Sequence, residues 1–294
     1  MKKLVILFAL FPSVVLAQFQ SAYCHEGRSF WIGLETKLGP DRYRLDLAAI
    51  ARYKAQGVDW FGLTYFDEQW QTTGVLSDLF PLRLQLELAS TQSRVVLRTL
   101  PWLDTSTGIF EIFARADAWI ENTAKMLAGV NTKRIAWAIN PEPAQLGKVV
   151  SRDPWLAVPY TGDEFVQKRL EKTRRLEEWY DYVIPRIRKI CPDLTLLLSS
   201  AGWGHLSNYE YLDIKKSYPN TIRTADAYFE PWMNIEKMIQ DAYDFYKAMG
   251  ARLMLTECGI QDRSKVGTLE EIVLMDRIKA TCTRLKISWS KWLP

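Results

Sequence analysis

Histidine is scarce in this sequence, with only His25 and His205 among 294 residues. Two histidines so far apart argue against the His-rich metal centre of many hydrolases, and we expect no metal. The chain also lacks a suitably placed Ser-His-Asp set, a glycine-rich phosphate loop and a dinucleotide-binding fingerprint. These absences exclude several common classes of catalytic site, and we expect no organic cofactor.

Concentrated charge is missing as well. The chain has 38 Lys and Arg against 34 Asp and Glu, a net charge of +4, and its basic residues are spread along predicted helices. We therefore expect no nucleic-acid partner. The hydrophobic fraction of 48% indicates a globular protein. Aromatic residues are abundant and include 12 Trp. Most should lie in the core, and a few should line a cleft.

The N-terminus has the pattern of an export signal. Lys2 and Lys3 precede an apolar stretch, 4–16, which is short for a membrane span. We expect residues 1–17 to be a signal peptide cleaved after Ala17, with an uncleaved anchor as the alternative. The mature protein, 18–294, would then be secreted or periplasmic, with no membrane contact.

Export permits disulfides, and the four cysteines allow three pairings: Cys24, Cys191, Cys258 and Cys282. Cys24 and Cys282 would both lie at the bottom face of the fold predicted below, which makes them one candidate pair. Cys258 should be a separate buried thiol.

Short apolar runs alternate with longer amphipathic stretches along the whole chain. The runs predict eight strands, at Phe30–Glu35, Val58–Tyr65, Arg94–Leu100, Arg134–Asn140, Leu194–Ser200, Ile222–Tyr228, Arg252–Thr256 and Lys286–Trp289. The stretches between them predict seven helices, at Pro40–Gln56, Pro81–Ser90, Ile109–Val130, Thr161–Ile190, Tyr209–Ser217, Asn234–Met249 and Thr268–Leu285. Asn234 should cap its helix, and Thr268 should open a capping box.

This alternation predicts the α/β class and one catalytic (β/α)8 TIM barrel, which we expect to be monomeric. Several strands are apolar without strict alternation, as is typical of strands buried on both faces. The chain stops at Pro294, just after the last predicted strand. We therefore expect the eighth helix to be missing.

The active site of such a barrel lies at the carboxyl ends of its strands. Acids and aromatics dominate the residues there, which include Glu35, Trp102, Asn140, Glu142, Trp203, Asp226, Tyr228, Trp232, Glu257, Trp289 and Trp292. Glycoside cleavage needs an acid for the leaving oxygen and a carboxylate that attacks or activates water. The sequence therefore predicts a glycosidase.

Two of these segments resemble motifs of the clan A glycoside hydrolases, in particular the cellulase-like family five. Residues 138–143, Ala-Ile-Asn-Pro-Glu-Pro, are similar to its acid/base motif, and residues 255–259, Leu-Thr-Glu-Cys-Gly, to its nucleophile motif. The resemblance implies a retaining endoglucanase or mannanase with Glu142 as acid/base and Glu257 as nucleophile, and a β-glycan as its substrate.

The resemblance also implies roles for residues around this pair. Tyr228 would hydrogen-bond the nucleophile, Trp289 would form the floor of the sugar site, and Asn140 would bind the sugar 2-hydroxyl. Trp102, Trp203, Asp226 and Glu35 complete the expected substrate-binding set, and His205 is a further candidate contact.

The sequence departs from the family pattern at three points. Pro141 separates Asn140 from Glu142, Asp226 stands where the family often has His, and no Arg closely follows the second strand, although Arg98 on the third could serve. The extra residue would reverse the direction of Glu142 unless a bulge at Asn140-Pro141 absorbs it.

Alternative interpretations remain open. Glu142 could be a loop acid, and Glu257 could have a structural partner such as Arg98. The barrel could bind glycans without cleaving them, or transfer sugars with the same residues. The sugar, its linkage and endo or exo action are not encoded in a readable motif.

Overall fold

The computed structural model describes residues 47–55, 60–65, 94–99, 109–140, 163–199, 206 and 216–291. Strands and helices alternate in this part of the chain. The strands are β1 Trp60–Tyr65, β2 Arg94–Thr99, β3 Ile135–Asn140, β4 Thr195–Ser199, β5 Thr221–Phe229, β6 Leu253–Ile260 and β7 Ser288–Lys291. The α-helices are α1 Leu47–Ala55, α2 Ile109–Leu127, α3 Asp163–Ile190, α4 Ile235–Ala248 and α5 Leu269–Leu285.

The described strands form one parallel sheet whose order follows the chain, from β1 to β7. An open doubly wound sheet would reverse its order at a switch point, and this sheet does not. The predicted (β/α)8 barrel is therefore confirmed as the fold class. β1–β7 correspond to the second to eighth predicted strands. The first predicted strand, Phe30–Glu35, and the helix Pro81–Ser90 lie outside the described residues.

β6 and β7 differ from their predicted bounds by more than a residue. β6 continues to Ile260, four residues beyond the predicted end at Thr256. β7 is Ser288–Lys291 instead of Lys286–Trp289, so both its ends lie two residues later than predicted. Lys286 has a left-handed conformation with φ 57° and ends α5 as its C-cap, and this conformation cannot start a strand. The predicted helix at Tyr209–Ser217 is not helical at Lys216 and Ser217, its only described positions.

The sheet has two apolar faces, as expected for strands buried on both sides. The helix-facing side carries the large core, in which Trp119 contacts Trp137 and Trp179 with ring centroids 4.8 and 6.0 Å apart. The opposite side carries a smaller cluster of Val96, Ala136, Ala138, Leu197 and Met254. Membership of one cluster or the other shows whether a strand residue faces the helices or the interior of the barrel. The site described below lies on the interior side.

The two predicted helix starts have different outcomes. Asn234 caps α4 as expected, because its Oδ1 accepts a hydrogen bond from the Lys237 amide at 3.2 Å. The capping box at Thr268 is wrong. The Thr268 hydroxyl donates to the Lys265 carbonyl at 2.6 Å, and Glu271 accepts from the Gly267 amide at 2.8 Å. The other oxygen of Glu271 forms a buried ion pair with Lys291, at 3.0 Å.

Three of the four cysteines lie in the described residues. Cys258 and Cys282 are buried and Cys191 is half-buried, so the expected burial of Cys258 is confirmed. Cys24 lies outside the described residues, and its pairing with Cys282 stays a prediction. Among the helices that the structure describes, none is long and apolar enough to cross a membrane.

Candidate active site

β5 and β6 bring three of the predicted site residues together. Asp226 pairs with Glu257 in the parallel register, and Tyr228 pairs with Gly259. The alternate residues of both strands, among them Ala227 and Cys258, belong to the helix-facing core. Because side chains alternate across a strand, Asp226, Tyr228 and Glu257 face the interior of the barrel. They lie near the carboxyl ends of their strands, where barrel enzymes have their active sites.

A β-bulge at Thr256 sets this arrangement. The register between the two strands shifts from Ala225↔Leu255 to Asp226↔Glu257, so Thr256 is an extra residue on β6. The Thr256 hydroxyl donates a hydrogen bond to Asp226 Oδ1 at 2.9 Å. Its carbonyl accepts one from the Ser290 hydroxyl of β7 at 2.5 Å. The bulge is therefore tied to both neighbouring strands.

Glu257 is buried, with 6% of its surface exposed, and it receives a hydrogen bond from Tyr228. The Tyr228 hydroxyl donates to Glu257 Oε2 at 2.6 Å. Burial, and next the charge of Glu257, raise the pKa of Tyr228 above its usual value, so its hydroxyl keeps the proton that it donates. The expected contact between these two residues is confirmed.

Gly259 lies beneath the ring of Tyr228. A Cβ atom at this position would stand 3.3 Å from Tyr228 Cε1 and 3.4 Å from Cδ1. A Cβ atom here would require the tyrosine ring to shift by a few tenths of an ångström. The glycine of the Leu-Thr-Glu-Cys-Gly segment therefore leaves room for the ring of the residue that hydrogen-bonds Glu257.

The acid/base side of the predicted site is described only up to Asn140. The register of β3 against β4 shifts between Ala138 and Asn140, which pair with Leu197 and Leu198. A bulge thus lies at Ile139, one residue before the expected place. The side chain of Asn140 and all of Glu35, Trp102, Glu142 and Trp203 lie outside the described residues, as does the side chain of Arg98 on β2. Their predicted roles stay predictions.

Trp289 is not where the sequence placed it. It is 0% exposed and belongs to the same core cluster as Ile278 and Cys282. Its register partner is Leu255, which precedes the bulge and faces the helices. Trp289 shares that direction, so the prediction that it floors the sugar site is wrong. Trp292, which also follows from the sequence as a rim residue, lies outside the described residues.

Sequence reasoning missed two residues that shape the site. Thr256 holds the carboxylate of Asp226, and Ser290 holds the backbone of the bulge. A hydroxyl residue directly before the motif glutamate was the only signal for the first, and nothing in the sequence marks the second. In the described part of the chain, no group of three or more His, Cys, Asp or Glu is placed to hold a metal ion.

Comparisons with known proteins give no match to a family model and none among curated proteins. Solved structures do match. Cel5A of Thermotoga maritima in complex with cellobiose superposes with a TM-score of 0.66 at 15% identity, covering 94% of this chain and 91% of that chain. The same protein with mannotriose gives 0.65 at 14%, with the same coverage.

A third match is the cellulose synthase subunit Z of Clostridioides difficile. Its TM-score is 0.63 at 12% identity, and it covers 90% of this chain and 91% of that chain. At such low identity these likenesses establish the fold alone. Together with the sheet order, they show that the chain has the (β/α)8 barrel fold.

Proposed function

We propose that this chain is an exported retaining glycoside hydrolase that cleaves a β-linked glucan or mannan. The observation that carries the proposal is the Tyr228–Glu257 hydrogen bond of 2.6 Å on the inner face of the barrel. A buried carboxylate that accepts a hydrogen bond from a phenol is held in one orientation, as a nucleophile requires. The similar structures support the substrate class, because two of them are complexes with cellobiose and with mannotriose.

The proposed reaction is a double displacement. The Glu257 carboxylate attacks the anomeric carbon while Glu142 donates a proton to the leaving glycosidic oxygen. The glycosyl–Glu257 ester then reacts with water, whose proton returns to Glu142, and the sugar leaves with its original configuration. Tyr228 positions the Glu257 carboxylate in the first step and stays next to the ester in the second.

A panel of polysaccharides tests the proposal directly. The wild-type protein should release reducing sugar from at least one β-glucan or β-mannan, and proton NMR should show the β-anomer as the first product. An α-anomer first would mean inversion, and would contradict the nucleophile role of Glu257. Products longer than the substrate in the presence of an acceptor sugar would assign a transglycosylase. Binding without any cleavage would assign a glycan-binding barrel.

Tyr228→Phe should lower kcat/KM. A hydrogen bond to a charged group contributes about 1.5–3 kcal/mol, so its loss should cost on the order of tenfold or more in rate. Without the bond, the Glu257 carboxylate is held less firmly in the orientation from which it attacks. Initial rates of reducing-sugar release at low substrate concentration give kcat/KM for the variant and for the wild type.

Tyr243→Phe is a matched control for this prediction. Tyr243 lies on α4 and is half-buried against the helix-facing core, so the loss of its hydroxyl should leave kcat/KM within about twofold. An equally small effect in Tyr228→Phe would show that the phenol does not position the nucleophile.

A further inference from the structure

The inward direction of the Glu257 carboxylate depends on the bulge at Thr256. Leu253 and Leu255 belong to the helix-facing core. Because side chains alternate along a regular strand, Glu257 would face the helices as well if β6 had no extra residue. The bulge reverses the alternation, so the carboxylate faces the interior of the barrel. Any contact that stabilises the bulge therefore also stabilises the direction of the proposed nucleophile.

Ser290 supplies such a contact from the neighbouring strand. The register of β6 against β7 shifts between Leu255 and Cys258, so two residues of β6 lie opposite Ser290 alone. A bulge disrupts the backbone ladder at the extra residue, and a buried backbone carbonyl needs a donor. The Ser290 hydroxyl donates to the Thr256 carbonyl at 2.5 Å, and Ser290 is 0% exposed. This hydrogen bond therefore stabilises the bulge from the β7 side.

The neighbours of Ser290 on β7 set the direction of its side chain. Trp289 lies in the helix-facing core, and Lys291 forms its buried ion pair with Glu271 on α5. Both neighbours face the helices, so alternation directs Ser290 into the barrel. Because neighbouring strands are only about 4.8 Å apart, the short serine side chain reaches the backbone of β6.

We propose that Ser290 is a positioning residue for the nucleophile, because its hydroxyl holds the carbonyl of the bulge that turns Glu257 inward. This inference rests on the proposed function. Ser290 acts through the backbone of β6, whereas Tyr228 bonds the carboxylate itself. Without the hydroxyl, the buried carbonyl loses this donor. A shift of the bulge past Glu257 then becomes less unfavourable, and it would turn the carboxylate toward the helices.

Ser290→Ala tests the proposal through kcat and KM measured separately. The variant should lower kcat on the best glycan substrate by about tenfold or more, because the nucleophile is held less firmly. KM should stay within about twofold, since the substitution removes no group that binds sugar. Ser290→Thr keeps the hydroxyl and should recover most of kcat. Ser290→Cys has a similar shape and a weaker donor, so its kcat should be intermediate, and it replaces the alanine variant if that variant does not fold.

Thr281→Val is the matched control. Thr281 is also buried, and its hydroxyl donates to the backbone carbonyl of Arg277 at 2.9 Å. This hydrogen bond lies within α5 and is not part of the bulge. Its loss should leave kcat within about twofold, because the two sites are independent. An equal loss of kcat in Thr281→Val would mean that removing any buried hydroxyl impairs the enzyme.

Crystal structures of the wild type and of Ser290→Ala give a second measurement that needs no activity. In the variant, the register at Thr256 should shift, and the Tyr228–Glu257 hydrogen bond should be lost or lengthened. An unchanged bulge and carboxylate would overturn the inference whatever the rate, and so would an unchanged kcat or a loss that Ser290→Thr does not recover. If the wild type cleaves no glycan, the proposed function fails, and the crystal structures still decide whether Ser290 fixes the direction of Glu257.

Discussion

Glu257→Gln should lower kcat on the best glycan substrate by at least about a hundredfold, because the amide cannot form the glycosyl ester. The substitution keeps the shape of the side chain and still accepts the hydrogen bond from Tyr228. Substrate binding should therefore persist, and the loss should appear in kcat and not in KM. Initial rates of reducing-sugar release over a range of substrate concentrations give the two constants separately.

A second variant identifies the role of Glu257 as well as its importance. In Glu257→Ala, added azide should restore turnover and give a glycosyl azide of α configuration, because the anion attacks from the face that the carboxylate occupied. Glu142→Ala with azide should give the β product instead.

Glu270→Gln is the matched control for both variants. It changes an exposed glutamate on α5 that pairs with Lys265, and it should keep activity within about twofold. Glu257→Gln with activity within tenfold of wild type would remove Glu257 from the chemistry.

Lys291→Met should cause the largest loss of stability. The Lys291 ammonium lies 3.0 Å from Glu271, and the two side chains are only 8% and 2% exposed. Removing one partner leaves a charge buried without its counterion, which costs about 3–5 kcal/mol in such pairs. The free energy of unfolding in urea at pH 7 should fall by about this amount, at an unchanged m-value.

Two further variants test whether the loss of stability comes from the burial of this ion pair or from the removal of any lysine charge. Lys237→Met breaks an ion pair with Asp241 whose side chains are 66% and 40% exposed, and it should cost less than about 1 kcal/mol. Lys291→Met combined with Glu271→Gln should recover part of the loss, because no unpaired charge remains. A loss in Lys291→Met as small as that in Lys237→Met would show that water reaches the pair.

The strands and their parallel order could be predicted because their signal is local. Each buried run, such as Leu253–Ile260, is apolar over most of its length and is separated from the next by an amphipathic helix. That signal decides the class of fold and places Asp226, Tyr228 and Glu257 on neighbouring strands. It required no knowledge of which residue pairs with which.

The direction in which individual side chains point, and their partners on distant segments, could not be predicted from such a local signal. Trp289 was assigned to the cleft, and the structure buries it beneath the helices, because its direction depends on the register that it shares with Leu255. Glu271 was assigned to a capping box with Thr268, yet its carboxylate accepts from the Gly267 amide and pairs with Lys291, twenty residues further along the chain. Both outcomes are set by contacts between distant segments, which no local pattern encodes.

The bulge at Thr256 has a consequence for how this barrel can change. Before it, odd-numbered residues of β6 face the helices, as Leu253 and Leu255 do; after it, even-numbered ones do, as Cys258 and Ile260 do. The extra residue thus divides β6 into a first half that packs in the core and a second half that carries the Glu257 carboxylate. The alternation of inward and outward side chains in one half does not fix the alternation in the other. Substitutions that repack the lower half need not redirect the carboxylate above it, so mutation can alter stability and chemistry on the same strand separately.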